Sequence, residues 1–400
     1  MLNGLNIMQL IKVGFVIDAR WIGGLNYYRN LLFAISYIPD RKIEPVILLG
    51  QKTSDKILSG LPDFQVIRTS ILDRYSLAWF LNKILWKLLG RNILLNRLLI
   101  KNDVQVLSHT LPDKSKRIKT IGWIPDFQHV HLPSMFSNLE LNVRDKQFTK
   151  IAKFCDSVIV SSQDAYKDFS HFAPHYIKKV RVLNFVCAPS TIDLPSLETL
   201  KAKYGFNRPY FYLPNQFWKH KNHSLMIDAI NDLKNEWPDV LVLASGSEQD
   251  YRDLCYFSNL VSQVNEYGIS SNFVSLGIVP YSDVVSLMIN SMAVINPSLF
   301  EGWSSTVEEA KSLGVALILS DINVHREQAD GKASFFPPSS ASCLAKKLRE
   351  FKSDKKITEV HLSSKYTLEN NNQRLKNYGC AYQDIILELI YNPCHLYQAK

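Results

Sequence analysis

The chain has 400 residues, 46% of them apolar and 21% charged, with no low-complexity tract. That length exceeds one ordinary core and the apolar content fills two, so two domains are expected and a disordered chain is excluded. A formal charge of +9 favours polyanionic partners, whether nucleic acid, an anionic membrane face or phosphorylated substrates, and does not choose among them.

The start of the chain, Met1 to Leu10, lacks the basic residues, apolar run and cleavage site of a secretory signal. No stretch of about 20 apolar residues follows, so a cytoplasmic protein is expected. Lys12–Asp18, Val46–Leu49, Val104–Ser108, Thr120–Trp123, Ser157–Val160 and Val180–Leu183 read as buried strands of a first unit, residues 1–190. Within it, Tyr75–Lys101 carries Leu77, Phe80, Leu81, Ile84, Leu85 and Leu88 at helical spacing, with Lys83, Lys87, Arg91, Arg97 and Lys101 interleaved. That pattern suits an anionic bilayer surface, and equally a helix packed on the sheet. The segment Cys187–Leu200, with Pro189 and Pro195, reads as a linker.

A second series of strands follows in residues 200–370: Tyr210–Leu213, Val240–Ala244, Phe273–Leu276, Ala293–Asn296, Ala316–Leu319 and Ser334–Phe336. Strands alternating with helix-length segments indicate an α/β architecture of two parallel sheets, each covered on both faces. A late helix, 375–400, is expected to return to the first domain. The six cysteines, at 155, 187, 255, 343, 380 and 394, lack metal-site spacing and read as reduced, buried thiols.

Chemistry concentrates in Asn296-Pro-Ser-Leu-Phe-Glu-Gly-Trp-Ser-Ser-Thr-Val-Glu-Glu-Ala310, which follows a strand and opens a helix. Such a turn offers free N–H groups and a positive dipole end to an anion such as a diphosphate. Glu301 and Glu309 flank it; carboxylates beside a phosphate site accept hydrogen bonds from sugar hydroxyls. Glu308 competes with Glu309 for the second role. A second cluster, Asn215-Gln-Phe-Trp-Lys-His-Lys-Asn-His223, precedes another helix and reads either as a phosphate-neutralising loop or as a solvated basic loop.

The spacing Glu301-x7-Glu309, within Pro-Ser-Leu-Phe-Glu-Gly-Trp…Glu-Glu-Ala-Lys-Ser-Leu-Gly, resembles the signature of retaining family 4 (group 1) glycosyltransferases of the GT-B fold. The continuation Asp321, Arg326-Glu327 and Phe336-Pro337, and the preceding Phe273–Gly277 and Tyr281–Ile289, fit the same pattern from about Asn207 to Pro338. The resemblance implies two Rossmann-like domains facing each other across a donor cleft. In the family the loop matching 215–223 supplies an Arg and a Lys; Lys221 fits the Lys, Gln216 stands where the Arg would, and Lys219 is the candidate replacement. Gly23-Gly24 resembles the family's glycine pair, and would otherwise be a tight turn. Asp126 and Pro133 match a His-Asp…Pro step whose His position holds Pro125, leaving His129 or His131 to take a sugar contact or a structural role.

On this resemblance the chain is expected to transfer a hexose from a nucleotide diphosphate sugar to a glycan acceptor, lipid-linked, in surface polysaccharide synthesis. Lys221 and the N–H groups of Gly302 to Thr306 and of Gly23 and Gly24 would stabilise the departing diphosphate, helped by the Ser304, Ser305 and Thr306 side of the turn. Glu301 would hold the donor sugar, Glu309 the ribose, and Asp126 the attacking hydroxyl. No Asp-x-Asp motif accompanies the donor site, so no metal and no cofactor are expected. The loop 215–223 resembles mannosyl- and rhamnosyl-transferring relatives. The competing functions are a nucleotide-sugar epimerase and a basic nucleic-acid-binding protein. Lys and Arg are spread along the chain rather than grouped, which argues against the latter. A peripheral position on the inner face of the cytoplasmic membrane follows if 75–101 meets lipid.

Overall fold

The computed structural model describes residues 10–17, 22–113, 117–353 and 364–391. Asp18, Arg20, Trp21, Cys394 and the predicted helical residues 392–400 lie outside the described residues. The chain divides into two compact units, one of residues 1–127, 137–185 and 372–400, the other of 128–136 and 186–371. The expected first domain of 1–190 thus gives up 128–136 to the second unit. Within that unit the ring of Phe136 packs on Arg252 and that of His131 lies 5.1 Å from Phe300.

The first unit is built on a seven-stranded parallel sheet. Its strands are β1 (Ile11–Val16), β2 (Ile43–Gly50), β3 (Gln65–Thr69), β4 (Val104–Ser108), β5 (Lys119–Ile124), β6 (Ser157–Val160) and β7 (Val180–Val182), in the order β3-β2-β1-β4-β5-β6-β7. Six of these are the predicted strands. β3, the edge strand, is the addition: its Gln65 and Val66 are exposed, so no continuous apolar run announces it. The helices are α1 (Ile22–Ser36), α2 (Leu77–Leu89), α3 (Ile93–Lys101), α4 (Gln128–His131, grouped with the second unit), α5 (Asn138–Phe154) and α6 (Gln163–Phe172).

The predicted amphipathic segment is two helices rather than one. Gly90 caps α2 in the left-handed conformation at φ 67°, its N–H bonded to Trp86 O, and the chain restarts at α3. α3 buries Leu95 and Leu99 against the sheet, whereas no side chain of α2 is buried. Leu77 and Leu88 are 84% and 75% exposed. Packing on the sheet therefore describes α3 and does not describe α2.

The second unit holds six parallel strands: β8 (Phe211–Leu213), β9 (Val242–Ala244), β10 (Phe273–Ser275), β11 (Val294–Asn296), β12 (Leu317–Ser320) and β13 (Ser334–Phe336), in the order β10-β9-β8-β11-β12-β13. Side chains alternate between two cores. Phe211, Leu213, Val242, Ala244 and Ile295 enter one; Tyr212, Leu241, Leu243 and Val294 enter the other. This period of two on a sheet buried on both faces is why each strand reads as an unbroken apolar run. Truncating Phe211, which is fully buried, would cost about 3–5 kcal/mol. The helices are α7 (Leu197–Tyr204), α8 (His223–Leu233), α9 (Tyr256–Glu266), α10 (Tyr281–Ile289), α11 (Ser305–Leu313), α12 (Asn323–Ala329) and α13 (Ala341–Ser353).

The last helix, α14 (Ser364–Tyr391), supplies its later residues to the first unit. There Tyr382 donates to Ser108 Oγ at 2.7 Å, Gln383 bonds Lys42 N and Asp40 O, and Glu388 pairs with Arg181. No disulfide joins the five described cysteines. Cys155 and Cys187 are buried as expected, but Cys255 and Cys343 are exposed.

Both sheets share the Rossmann order, with a reversal between β1 and β4 in one unit and between β8 and β11 in the other. Ligands of such sheets bind beyond the carboxyl ends of the strands at the reversal. The connections leaving β8 and β11 are the two stretches singled out in the sequence.

Candidate functional site

In the second unit the two connections are tied together. Leu299 N–H donates to His220 O at 2.8 Å, and Asn222 Nδ2 donates to Pro297 O and Pro338 O at 3.1 and 3.0 Å. Lys219–Lys221 forms one 3-10 turn that ends because Asn222 adopts φ 60°. Gly246, after β9, lets the first connection lie this close: a Cβ there would come within 2.5 Å of Asn215 O.

This scaffold brings Lys221 onto Glu301, Nζ to Oε1 at 2.6 Å, with 14% and 9% of the two side chains exposed. Ser298 Oγ donates to the same oxygen at 2.7 Å and Asn296 Nδ2 at 3.3 Å. Burial opposes ionisation of Glu301, but the Lys221 charge and its hydrogen bond win, holding the carboxyl down at about 2. His220 and His223, beside the lysine, are pushed down to about 3 by burial, with the Lys221 charge adding to it, and stay neutral. Lys221 is therefore the cation nearest Glu301.

Beyond Glu301 and Gly302 the chain enters α11 through Ser304, a buried N-cap whose Oγ accepts from Val307 N and from Asn296 Nδ2. Ser304 N–H is taken by Gln328 Oε1 at 3.1 Å. Thr306 gives its hydroxyl hydrogen to Pro214 O or Asn215 Oδ1, at 3.3 and 3.2 Å. That commits a hydroxyl expected to face phosphate, and leaves Ser305 as the exposed one. Of the first-turn N–H groups, those of Ser305 and Thr306 have no partner inside the helix and are available to an anion that binds at its mouth.

Glu308 is buried and bound to Lys311 at 3.1 Å and Gln328 at 3.1 Å, a role within the fold. Glu309 is partly buried and takes a 2.8 Å hydrogen bond from Tyr281. Burial pushes its carboxyl up to about 7, the tyrosine pulling the other way. Gln216 is exposed and accepts Ser247 N–H at 2.7 Å. Lys219, 58% exposed, lies 3.6 Å from Asp253.

In the first unit Gly23 and Gly24 open α1 rather than a tight turn. Gly24 lines a cavity of about 460 Å³ with Tyr28, His109, Trp123, Arg144 and Gln147. Trp123 stacks on Tyr27 at 4.3 Å, and His109, at φ 53°, is held between Ser108 Oγ and Tyr27 Oη at 2.8 Å each. Asp126 pairs with Arg144 at 2.8 Å. His129 is buried with its ring edge toward Phe136, while His131 is exposed.

Sequence reading missed Tyr281, Arg144 and Gln328, which reach their partners from other helices with no local spacing to mark them. Asn296 and Ser298 lay inside the quoted motif, where a polar pair at a strand end just before a glutamate was the available signal.

Residues 198–367 match the family model described as glycosyl transferases group 1. The second unit holds a group 1 glycosyltransferase domain. The chain has the GT-B fold, and solved structures align over nearly all of it. A glycosyltransferase from Rickettsia africae has a TM-score of 0.69 at 17% identity, with 96% of this chain and 99% of that one covered. HepE of Anabaena, solved with UDP and glucose, gives 0.67 at 17% identity over 95% and 99%. The lipopolysaccharide outer core galactosyltransferase WaaB gives 0.58 at 15% over 94% and 99%. Comparison with curated proteins by sequence gives no match. Among the described residues no group of His, Cys, Asp and Glu could hold a metal ion, and no helix is long and apolar enough to cross a membrane.

Proposed function

We propose that this glycosyltransferase moves a hexose from a nucleotide diphosphate sugar to a hydroxyl of a glycan acceptor, with retention at the anomeric carbon and without a metal ion. The observation that carries this is the buried Lys221–Glu301 pair at the mouth of α11, with Glu309 further along the same helix. A sugar hydroxyl and a diphosphate oxygen are a matched replacement for the pair's mutual contact. The donor's hydroxyls take over Glu301 and its phosphate takes over Lys221. Glu309 holds the ribose.

As the glycosidic C–O bond breaks, negative charge collects on the diphosphate, where Lys221 and the Ser305 and Thr306 N–H groups meet it. The acceptor oxygen forms its bond on the face the phosphate leaves, and its proton passes to the departing phosphate oxygen. In the first unit Asp126, held by Arg144, is the proposed contact for an acceptor hydroxyl, and Gly23 and Gly24 are further candidates there, with His129 a candidate in the second unit.

The HepE complex supports a UDP-hexose as the first donor to try, alongside the GDP- and dTDP-sugars of mannosyl and rhamnosyl relatives. WaaB supports a surface polysaccharide setting. A lipid-linked acceptor on the inner face of the cytoplasmic membrane is supported by α2, whose exposed leucines lie within Arg74–Asn102, a stretch of six basic and no acidic residues.

The test incubates the full chain with candidate nucleotide sugars and a glycan acceptor, with and without chelator, and reads the product's anomeric configuration by NMR. Retained configuration and undiminished turnover in chelator are expected. An inverted product, or activity that chelation removes and magnesium or manganese restores, overturns the corresponding part. Isomerised nucleotide sugar formed without acceptor would favour an epimerase, and thermal stabilisation by oligonucleotide but not by nucleotide sugar would favour nucleic-acid binding.

A further inference from the structure

Tyr281 opens α10 and its hydroxyl donates to Glu309 Oε1 at 2.8 Å across from α11. An ionised carboxylate only accepts, and its terminal torsion is broad unless something fixes it. One bond from a tyrosine anchored on another helix supplies that restraint. Among the described residues no cation pairs with Glu309, in contrast to Glu301, so its remaining lone pairs suit neutral donors such as hydroxyls. Other titratable groups at this corner are Tyr212, in the middle of β8 with Tyr204 and Asp283 near it, and Cys187, which faces Tyr281.

We propose that Tyr281 is a positioning residue that sets the Glu309 carboxylate to receive both hydroxyls of a ribose, so that this domain selects ribonucleoside diphosphate donors over 2′-deoxyribonucleoside ones. The inference rests on the donor reading above and narrows it to ribonucleoside donors, UDP- and GDP-sugars, removing the 2′-deoxy dTDP-sugars from it. Two vicinal hydroxyls give one hydrogen to each carboxylate oxygen. A 2′-deoxyribose gives only one, leaving a partly buried acceptor without the donor its geometry awaits. Sites built to hydrogen-bond a hydroxyl reject analogues that lack it far better than apolar pockets reject a methylene. Free to turn, the carboxylate would follow the single remaining hydroxyl and lose that discrimination.

The experiment is calorimetric titration of the full chain with UDP, 2′-deoxy-UDP, GDP and 2′-deoxy-GDP, repeated on Tyr281→Phe and Glu309→Gln. In the unaltered protein one ribonucleotide should bind about 10–100-fold more tightly than its deoxy form. Tyr281→Phe should weaken the ribonucleotide about 3–10-fold and shrink the ratio, and Glu309→Gln should bring the ratio near one. A ratio near one in the unaltered protein, or a ratio unchanged in Tyr281→Phe while ribonucleotide still binds, overturns the proposal. So does an equal loss for both forms, which would make the tyrosine a general support. Binding of none of the four nucleotides would instead remove the donor reading on which the proposal stands. Glu309→Gln keeps the shape of the side chain, so the ratio stays readable even if Tyr281→Phe unfolds.

Discussion

Glu301 and Glu309 border one turn-and-helix segment with seven residues between them, yet their surroundings oppose each other. At the mouth of α11 a lysine and two neutral donors crowd one carboxylate oxygen and keep the acid ionised far below neutrality. Further along, a single phenol meets the other acid, and burial leaves it titrating near neutral pH. The first end is fixed by charge and the second by shape. On the proposed function, a ligand that carries phosphate and sugar at one end and a ribose at the other would meet each kind where it needs it.

The sharpest way to break this contrast is at the ion pair. Lys221→Met removes the proposed donor to the leaving group and strands Glu301, so turnover should fall about 10²–10³-fold. Unfolding free energy should drop by about 3–5 kcal/mol, much of it returned in Lys221→Met/Glu301→Gln because no buried charge is then left unpaired. A single mutant as stable as the parent would mean that the pair contributes nothing to the fold.

The pH dependence is a smaller and more discriminating effect. Because Glu309 must be ionised to accept from hydroxyls, KM for donor should rise as pH falls below about 7, and the profile should flatten in Glu309→Gln. Stability should respond with opposite signs at the two ends. Glu301 holds its proton less tightly folded than unfolded, so its contribution is present above the usual carboxylate range and lost as pH falls toward about 2. Glu309 holds its proton more tightly folded, so its contribution declines as pH rises from the usual carboxylate range to about 7. Melting curves of the two single Gln variants, each compared with the parent across pH 3 to 8, should deviate in opposite directions.

The smallest effect on chemistry is expected at α2. Leu81, Ile84 and Leu88 exchanged together for Ser should abolish co-sedimentation with anionic vesicles and leave turnover of a soluble acceptor unchanged. Vesicle binding that survives the triple exchange would remove α2 from the membrane reading.

How much of this was legible in the sequence follows from how each part is specified. Strands buried on both faces announce themselves as apolar runs, and only the half-exposed edge strand Gln65–Thr69 escaped. The turn before α11 is a local device, cap, glycine and two acids on one continuous stretch, so Glu301, Ser304 and Glu309 could be singled out by spacing as candidates. Thr306 could be placed but not aimed, since its hydroxyl turns to Asn215 and Pro214 on another connection. Tyr281 and Arg144 join their carboxylates from separate helices, and nothing in a linear pattern marks such meetings. In the first unit the cavity wall draws on Gly24, His109, Trp123 and Arg144, four separated stretches, so only the glycine pair and Pro125 fell within motifs that spacing could suggest.

Asn222 illustrates how one position can carry two demands that ordinary residues satisfy only singly. Glycine there would keep the left-handed bend and surrender both tethers to the carbonyls of Pro297 and Pro338. Aspartate would keep the bend and turn an acceptor against two acceptors, and glutamine would reach for the tethers with a backbone reluctant to bend. The lysine next door owes its aim to a joint for which few other side chains would serve.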